Sequence, residues 1–480
     1  MRLPWELEPC IHKHDEVFFL RAFRQTWIAE TESGKYTVEP EAIAYLVKAE
    51  RSQLVQIVKE YVQHWYESGL DPDEYICHQK QGNTVEIEDA ATGERQTVLS
   101  FCTNDVLGLV HEEAVKQGAI DAILKYGTSN SSCSVLSGRI DLHRQLEDEI
   151  SAFKHLPHTQ LFLNAWMAMQ ALMDAFCHLA IPVPGFQNTR ETLILTDVLN
   201  HGCIVSAVVN AGTRSGKVFG NSPRTRVKAY RHCNVEDLAR KLHRYARPGD
   251  RILVVSDAVF SMDGDIAPLL DMIGVLQKYE GSVLVMDEAH ASGAIGATGR
   301  GIYEHFGILP SYAIERGVVP LIMTTFSKFA ASAGAAISSH VAELKPLLNV
   351  SPTSIGTISL PPPTTAAALE SIRIVRQQPE RVQKLQENTR YLRSRLAEND
   401  FAAIGETNVV PVILPSEINP KVFGRQLLQE RGLWVSPIWF IAKPRLRITV
   451  NALHTHEEMD RLVAGMVAVR DLLYKPTISA

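Results

Sequence analysis

Four strand-like apolar runs of this 480-residue chain end in side chains that can take part in chemistry. The four pairs are Asp197 with His201, Asp257 with Ser261, Asp287 with His290, and Thr325 with Lys328. A single acid at a strand end is more often a turn or cap residue, and only the four pairs together indicate a functional site. Because ligands bind at the carboxyl edge of the strands in open α/β sheets, these side chains are predicted to form one site.

Two of these side chains together indicate a particular cofactor. Lys328 follows an apolar run, where a lysine can lose its proton and attack a carbonyl group. Asp287 can keep a heteroaromatic nitrogen protonated. Pyridoxal 5'-phosphate (PLP) needs both groups, so the sequence predicts a PLP site in which His290 binds the phenolic oxygen. The four glycines of ASGAIGATGRG (291–301) are expected to let the next loop turn tightly and pass close to neighbouring backbone.

The elements that position these residues alternate between strand and helix. Strand-like runs occur between residues 105 and 345, at 160–164, 192–197, 251–260, 282–287 and 320–327. This alternation predicts an α/β fold with a mostly parallel central sheet flanked by helices. We expect a mainly helical extension over residues 1–80, a large cofactor-binding domain over 81–345 that includes an N-terminal hairpin, and a smaller α+β domain over 346–480.

The composition excludes several classes of protein. The formal net charge is −6 and no basic run is present, so nucleic acid is not an expected partner. No run approaches the roughly 18 apolar residues of a membrane-spanning helix, and the first residues do not resemble a signal peptide. The seven cysteines form no CxxC pair and are odd in number, which favours free thiols and a cytoplasmic protein. No metal site is predicted, and no role is assigned to the cysteines.

The chain resembles the α-oxoamine synthases, the acyl-CoA-dependent branch of the fold-type-I PLP enzymes. Members include 5-aminolevulinate synthase, 8-amino-7-oxononanoate synthase, 2-amino-3-ketobutyrate ligase, serine palmitoyltransferase and autoinducer synthases. The resemblance runs from about residue 84 to 470 and is carried by TNDVLGL (103–109), SGRIDLHRQLEDEISAF (137–153), DVLNHGCI (197–204), VFSMDGDIAPL (259–269), MDEAHASGAIGATGRG (286–301), TTFSKF (324–329) and RLRITVNALHT (445–455). It implies the fold-type-I architecture, PLP, an amino acid and an acyl thioester as substrates, and a homodimer with shared active sites.

The resemblance also implies a role for each matching residue. Lys328 is implied to bond covalently to PLP, with Asp287 at the ring nitrogen and His290 at the phenolic oxygen. His201 and Ala289 are implied to lie on opposite faces of the ring. The other implied contacts are Ser261 beside the ring, Thr325 and the neighbouring subunit's copy of Thr357 at the phosphate, Asn164, Ala165 and Trp166 at the helix start that cradles the phosphate, and Asn104 and Arg447 at the amino-acid carboxylate.

Four departures from the family pattern lie on the phosphate and thioester sides. The loop TSNSSCSVLSG (128–138) replaces a glycine-rich loop, and Asn164-Ala165-Trp166 replaces a tripeptide of Ser or Cys, Gly and an aromatic residue. The segment SKFAASAGAA (327–336) lacks glycines soon after the lysine, and Val106 replaces a tyrosine. The ring-contacting residues are intact, which predicts the same carbanion chemistry with an altered acyl donor.

The sequence therefore predicts a PLP-dependent C-acyltransferase. It would condense a small amino acid with an acyl-CoA or a carrier-bound acyl group and release CO2, giving an α-amino ketone. An aminotransferase, decarboxylase or lyase needs the same ring residues without a thioester site, and is the alternative. A non-catalytic subunit is a third possibility, against which the presence of Lys328 argues. The residues do not identify the amino acid among Gly, Ala and Ser, the acyl group or its carrier, whether CO2 is released, or the role of the first 80 residues.

Overall fold

The computed structural model describes residues 75–178, 190–213, 224–439 and 442–473, with a few positions between 29 and 63. The chain forms two compact units, Met1–Lys80 with Glu86–Thr97, and Gln81–Val85 with Val98–Ala480. Most of the predicted helical extension lies outside the described residues. Within it, strand β1 (Ala29–Glu30) pairs antiparallel with β2 (Tyr36–Thr37). The domain boundaries at residues 80 and 345 stay predictions.

A hairpin precedes the main sheet, as the alternating pattern predicts. Strand β3 (Tyr75–Gln81) leads into β4 (Thr84–Asp89) and β5 (Arg95–Ser100). The turn between β4 and β5 is closed by the bond from Gly93 N to Asp89 O, 2.8 Å long, and Gly93 has a φ of 73°. A positive φ of this size suits glycine, which explains the turn at this position.

The central sheet has seven strands, of which five neighbouring ones run parallel. In chain order they are β6 (His158–Phe162), β7 (Thr192–Asp197), β8 (Thr225–Tyr230), β9 (Arg251–Asp257), β10 (Ser282–Asp287), β11 (Val318–Thr325) and β12 (Ala335–Ser339). Their spatial order is β6-β12-β11-β10-β9-β7-β8, and β12 runs antiparallel to both of its neighbours. The mostly parallel sheet is confirmed. The predicted runs correspond to β6, β7, β9, β10 and β11, while β8 and β12 have too little apolar character to stand out.

Helices cover the sheet and build the rest of the second unit. They are α1 (Glu113–Tyr126), α2 (Asp141–Lys154), α3 (Ala165–Met173), α4 (Gly202–Thr213), α5 (Val235–Tyr245), α6 (Leu269–Leu276), α7 (Ile302–His305), α8 (Ser311–Ile314), α9 (Leu344–Asn349), α10 (Pro352–Ile355), α11 (Pro362–Gln377), α12 (Glu380–Glu398), α13 (Pro420–Arg431) and α14 (His456–Leu473). Over the described residues, every helix is too short or too polar to cross a lipid bilayer.

Both faces of the central sheet are buried, which explains the continuous apolar runs. On β10, Leu284 and Met286 belong to one hydrophobic cluster, whereas Val283 and Val285 belong to the other. Successive side chains of a strand point to opposite faces, so the two clusters lie on the two sides of the sheet. A sheet covered in this way keeps its strands rigid and presents their carboxyl ends at one edge.

The C-terminal part contains a second, antiparallel sheet. Its strands β13 (Ala402–Ala403), β14 (Val409–Ile413), β16 (Ser436–Ile438) and β17 (Arg445–Thr449) follow the order β13-β14-β17-β16, and β15 (Leu433–Trp434) pairs with the end of β5 instead. The buried strand β17 carries Arg447. A bond of 2.7 Å from Thr449 N to Phe101 O joins the end of β17 to the segment that leads to Asn104.

Candidate active site

The four strand ends singled out in the sequence are neighbours in the structure. Strands β11, β10, β9 and β7 lie side by side and run parallel, so their carboxyl ends meet at one edge of the sheet. Asp287 is directly opposite Asp257 on the adjacent strand. The carboxyl ends of the four strands therefore lie together, whereas the roles of their side chains stay predictions.

Lys328 and Asp287 are the central pair of charges at this edge. Asp287 is only 2% exposed, and its Oδ1 accepts a 2.9 Å hydrogen bond from Ala289 N. Burial raises the pKa of Asp287, and the nearby Lys328 ammonium opposes that rise. Burial lowers the pKa of Lys328, against the opposing charges of Asp287 and Asp257. An amine that loses its proton readily beside a buried acid is the arrangement that a Schiff-base lysine requires.

His201 lies at the start of helix α4, next to a thiol. Its Nδ1 accepts a 3.2 Å hydrogen bond from Cys203 N and lies 3.0 Å from Cys203 Sγ. Because Nδ1 accepts this bond, it carries no proton, which places the proton on Nε2, and burial lowers the pKa of His201 in the same direction. Cys203 Sγ also lies 3.9 Å from Asp287 Oδ2. The thiol therefore lies between the histidine and the acid.

The partly buried His290 and the buried Asp257 are two further titratable groups beside this pair. Burial, together with the charges of Lys328 and Arg447, lowers the pKa of His290 well below its usual value. Burial and the charge of Asp287 raise the pKa of Asp257 well above its usual value, and its Oδ1 accepts a hydrogen bond from His201 N at 3.3 Å. Neutral His290 can donate one hydrogen bond to an oxygen of a ligand.

Arg447 reaches the site from strand β17. It is 8% exposed, and its Nε donates to Ser261 O at 2.7 Å, while Nη1 donates to Thr449 Oγ1 at 3.1 Å. The structure therefore brings Arg447 together with the loop of Ser261. Asn104 is exposed in the segment that follows Phe101, and its carbonyl accepts from Val106 N at 2.9 Å.

Helix α3 begins at the tripeptide that departs from the family pattern. Asn164 caps the helix, since its Oδ1 accepts from Met167 N at 2.9 Å. No hydrogen-bond acceptor for the backbone N–H groups of Ala165 and Trp166 is found in the described part of the chain, which leaves two donors at a helix N-terminus for an anion. Trp166 is half exposed, and its ring meets that of His201 edge-on at a centroid distance of 6.3 Å.

The two threonines expected at the phosphate lie in different places. Thr325 ends β11 and is buried, with its Oγ1 3.0 Å from Ser327 Oγ and donating to Gly334 O at 3.1 Å. Thr357 lies in the wall of an open cavity of about 460 Å³, together with Leu163 and Met167 on either side of the start of α3. Its Oγ1 donates to the carbonyl of the next residue, at 3.0 Å. A contact from Thr357 to a neighbouring subunit's phosphate stays a prediction.

The glycine-rich loop after β10 is held by side chains as well as by backbone. Gly293 has a φ of 76°, and a Cβ atom there would lie 2.3 Å from the Cβ of Phe329, the residue after Lys328. At Gly301, with a φ of 102°, a Cβ would lie 2.1 Å from Glu288 Oε2. The sequence predicted that this loop passes close to neighbouring backbone. At Gly293 and Gly301 the loop instead passes close to the side chains of Phe329 and Glu288. Glycine here lets the loop pack directly against the lysine segment and the Glu288 carboxylate.

Glu288 forms a buried ion pair beneath the site. Lys154 Nζ lies 2.5 Å from Glu288 Oε2, and both side chains have no exposed surface. Lys154 also donates to Ser292 Oγ at 2.6 Å, while Ile302 N donates to Glu288 Oε1 at 3.0 Å. A fully buried pair needs such additional bonds, because the two charges have lost their water. The pair joins helix α2 to the loop that follows Asp287.

Three residues at this edge received no role from the sequence. Asn200 connects β7 to β9, since its Nδ2 donates to Thr196 Oγ1 at 2.8 Å and to Val255 O at 2.9 Å. Cys203 lies between His201 and Asp287, as described above. His232 lies between two carboxylates. Asn200 and Cys203 fall in the quoted DVLNHGCI segment, so their position in that motif was the available signal, whereas His232 lies outside every quoted motif.

The unused hydrogen-bonding groups at this edge fit PLP. In the part of the chain that the structure describes, neither the Lys328 amine nor the His290 ring has a hydrogen-bond partner, and Asp287 Oδ2 has only a long contact of 3.9 Å with the thiol of Cys203 as a side-chain hydrogen bond. These three groups match the aldehyde, the phenolic oxygen and the ring nitrogen of PLP in turn. The two free donors at the start of α3 match its phosphate.

Comparisons with known proteins agree with this fit. Residues 96–466 match the aminotransferase class I and II family. The chain belongs to this family. It is 32% identical over 377 residues to 8-amino-7-oxononanoate synthase of Symbiobacterium thermophilum, covering 78% of this chain and 88% of that protein. It is 30% identical to 8-amino-7-oxononanoate synthase 1 of Bacillus subtilis, with the same coverage.

The relatives place the chain among the α-oxoamine synthases, which are PLP-dependent acyltransferases, so the family and the cofactor expected from the sequence are confirmed.

Solved structures support the fold. Serine palmitoyltransferase of Sphingomonas wittichii has a TM-score of 0.75 at 22% identity, covering 88% of this chain and 99% of that one. For 8-amino-7-oxononanoate synthase of Francisella tularensis the TM-score is 0.61 at 18% identity, covering 79% and 99%. The fold-type-I architecture is thereby confirmed.

Proposed function

We propose that this enzyme condenses a small amino acid with an acyl thioester, releases CO2 and forms an α-amino ketone. The observation that carries the proposal is the cluster of Lys328, Asp287, His290 and Arg447 at one sheet edge, with Lys328 and His290 lacking hydrogen-bond partners among the described residues. The relatives are named for a product with an amino group next to a ketone, which is the product class of such a condensation.

Each side chain has a separate task in this reaction. When bound, PLP supplies an electron sink that stabilises negative charge on the α-carbon of the amino acid. Asp287 would keep a proton at the ring nitrogen, His290 would donate to the phenolic oxygen, and Lys328 would remove the proton from the α-carbon. Burial lowers the pKa of Lys328, which increases the share of its neutral amine, the form that can act as a base.

The bonds that form and break follow from these positions. The α-carbon would lose its proton to Lys328 and bond to the carbonyl carbon of the thioester, and the sulfur would leave as a thiolate that takes its proton from water. The carboxylate of the resulting β-keto acid then leaves as CO2, and a proton from Lys328 takes its place. Arg447 would hold that carboxylate through a two-bonded fork, with Asn104 as a second donor.

The phosphate end is assigned to helix α3 and to two threonines. Ala165 N and Trp166 N are free to donate to phosphate oxygens, and Thr325 lies at the end of β11. His201 and Ala289 would enclose the ring from its two faces, with Ser261 beside it. The Trp166 ring, edge-on to His201, would limit the tilt of that imidazole.

We further propose a cytoplasmic homodimer in which Thr357 reaches the phosphate of the neighbouring subunit. Support for the dimer comes from exposed apolar side chains close to Thr357 in the chain, Ile355 at 44% and Ile358 at 42% exposure. Five cysteines of the described residues, Cys77, Cys133, Cys177, Cys203 and Cys233, are free thiols, which favours a reducing compartment.

A substrate panel tests the reaction. Purified enzyme with PLP is incubated with glycine, alanine or serine and with short-chain, long-chain and carrier-protein-bound acyl thioesters, while free thiol and CO2 are measured. We expect thiol release that requires one amino acid, with CO2 released in equal amount. Keto-acid formation without any acyl donor would instead identify an aminotransferase, and no thiol release across the panel would contradict the proposal.

A further inference from the structure

His232 lies between two carboxylates just beyond the end of strand β8. Its Nδ1 is 3.1 Å from Asp197 Oδ1, and its Nε2 is 2.7 Å from Asp265 Oδ2. A carboxylate can only accept, so each ring nitrogen must donate, and both nitrogens then carry a proton. Burial alone would lower the pKa of His232, but the hydrogen bonds to Asp197 and Asp265 outweigh it and raise the pKa to about 12.

Asp197 connects this imidazolium to the turn that carries His201. The carboxylate is 1% exposed, and its Oδ1 also accepts from Leu199 N at 2.9 Å, while Oδ2 accepts from Cys233 N at 2.8 Å. The turn from Asp197 to Asn200 leads directly into His201. The orientation of Asp197 therefore fixes the backbone just before the histidine that is proposed to stack on the ring.

Asp265 connects the same imidazolium to the loop that carries Ser261. This loop closes on itself through Phe260 N to Asp265 O, at 3.1 Å, and the ring of Phe260 meets His232 edge-on at 4.4 Å between centroids. Within the loop, Ser261 O accepts the 2.7 Å hydrogen bond from Arg447 Nε. A displacement of Asp265 would thus move the acceptor that orients the guanidinium of Arg447.

A proton explains this cluster better than a metal ion does. Asp197, His232 and Cys233 have potential ligand atoms close together, and so do His232, Asp263 and Asp265. However, both nitrogens of His232 already face carboxylates, which leaves no lone pair for a metal. Asp263 Oδ1 is also occupied, because Arg445 Nη1 donates to it at 2.6 Å.

We propose that His232 is a positioning residue. As a permanent imidazolium, it holds the turn before His201 and the loop of Ser261, which binds Arg447, in fixed positions relative to each other. The charged and titratable groups around it are Asp197 on β7, its neighbour Cys233, and Asp263 and Asp265 in the loop after β9. This role rests on the proposed function only for its effect on amino-acid binding; the charge of His232 and its hydrogen bonds do not depend on it.

The charge of His232 is tested directly by nitrogen NMR. Holoenzyme labelled with 15N-histidine is titrated from about pH 6 to about pH 9, and the signal lost in His232→Gln assigns the residue. We expect this ring to keep two protonated nitrogens throughout the titration. A ring that becomes neutral within this range would overturn the proposal. The readout needs no catalysis, so it stands even if no condensation is found.

The positioning role is tested by comparing His232→Gln with His454→Gln. Each change removes an imidazole that has two hydrogen bonds. The ring of His232 is partly exposed, whereas that of His454 is buried and, among the described residues, bonds to Asn451 N and Ser100 O, outside the proposed site. For His232→Gln we expect roughly tenfold weaker amino-acid binding, read from the absorbance change of bound PLP, and a shifted absorbance maximum of the resting enzyme.

For His454→Gln we expect a change in the free energy of unfolding alone. Equal effects of the two substitutions on binding and absorbance would show that His232 is merely structural and overturn the proposal. If His232→Gln does not fold, Asp265→Asn replaces it, because it keeps the imidazole and removes one carboxylate charge. Asp265→Asn with unchanged amino-acid binding and absorbance would contradict the proposal equally.

Discussion

At the scale of single residues, the site depends on how burial changes the protonation of a few groups. Burial lowers the pKa of Lys328 and raises the pKa of Asp287, and each group's charge partly opposes the shift of the other. Free in water, neither side chain would suit the reaction, since the amine would be protonated and the acid a weak proton acceptor. Their position at the ends of two adjacent buried strands is what makes them a matched base and acid.

The substitution Lys328→Ala should abolish the reaction, because it removes both the covalent link to PLP and the base for the α-carbon proton. We expect the condensation rate to fall by at least about 10³-fold, as measured by thiol release. Borohydride should remove the visible absorbance of the wild type, because it reduces the covalent link between Lys328 and PLP. The variant lacks this link and should not show the corresponding absorbance. Lys116→Ala, which removes an exposed lysine paired with Glu113, serves as the control and should keep full activity. Turnover by Lys328→Ala close to the wild-type rate would contradict the assignment.

The substitution Arg447→Ala should act mainly on amino-acid binding. The buried guanidinium is proposed to hold the substrate carboxylate, and losing a charge-assisted fork costs more than losing a neutral hydrogen bond. We expect the KM for the amino acid to rise by at least about tenfold, with a smaller change in kcat. Arg447→Lys keeps the charge without the fork, so its KM for the amino acid should lie between those of the wild type and Arg447→Ala. Equal KM values for all three proteins would refute the role.

At the scale of structural elements, the segment after Lys328 explains one departure from the family pattern. Ala331 has a φ of 46°, in the left-handed region that glycine adopts without strain. Its N–H donates to Lys328 O at 3.3 Å, and Ser332 N donates to Phe326 O at 3.0 Å, so the turn directly supports the lysine. The family's glycines in this segment thus have a physical reason, and this chain keeps the turn at the cost of local strain.

Ala331→Gly should therefore stabilise the protein. Relief of the left-handed strain outweighs the extra flexibility of glycine in the unfolded chain, for a net gain of roughly 1 kcal/mol in the free energy of unfolding. Denaturant titration of the apoenzyme measures it. Ala330→Gly is the matched control, since Ala330 is fully buried without a positive φ and should lose stability. A loss of stability in both variants would show that the turn is not strained.

Another prediction concerns the element junction at His454, where pH should affect stability. Its Nδ1 accepts from Asn451 N at 3.0 Å, its ring stacks on Phe101 at 4.2 Å, and burial lowers its pKa from 6.5 to about 4. The folded protein thus binds fewer protons than the unfolded chain between these values, so the contribution of His454 is complete above pH 6.5 and is lost as the pH falls toward 4.

Between about pH 7 and about pH 5 this residue should remove roughly 2 kcal/mol from the free energy of unfolding. His454→Gln, which keeps a donor for Ser100 O, should lose that part of the pH dependence. Urea denaturation at both pH values measures the difference between the wild type and the variant. Identical pH dependence in the two proteins would contradict the neutral, buried state of this ring.

At the scale of the whole molecule, the sequence predicted the central sheet and the edge where its polar strand ends lie. It did not predict the side-chain contacts between segments at that edge. Buried strands read as continuous apolar runs, which is why β7, β9, β10 and β11 and their polar ends were predictable. The role of His232 was not predictable, because its partners Asp197 and Asp265 are 35 and 33 residues away, at the end of strand β7 and in the loop after β9. Residue type and spacing indicate what a strand end can do, whereas contacts between loops depend on the order of strands in the sheet.

The sharing of active sites between two copies of the chain is also a property of the whole molecule. If Thr357 reaches the phosphate of the neighbouring subunit, Thr357→Ala should weaken PLP binding by about tenfold without separating the dimer in light scattering. Thr353→Ala, in helix α10 with its hydroxyl 3.4 Å from Asp174 Oδ2, is the control and should bind PLP normally.

Mixed dimers then distinguish sharing from a contact within one chain. In a hybrid of Lys328→Ala with Thr357→Ala, sharing gives one site with both an intact Lys328 and an intact Thr357, and a second site with neither. That hybrid should bind PLP at half of its sites with wild-type affinity. If each site instead uses Thr357 of its own chain, every intact Lys328 is matched with the altered threonine, and no tight site appears. A monomer at all concentrations would also exclude shared sites.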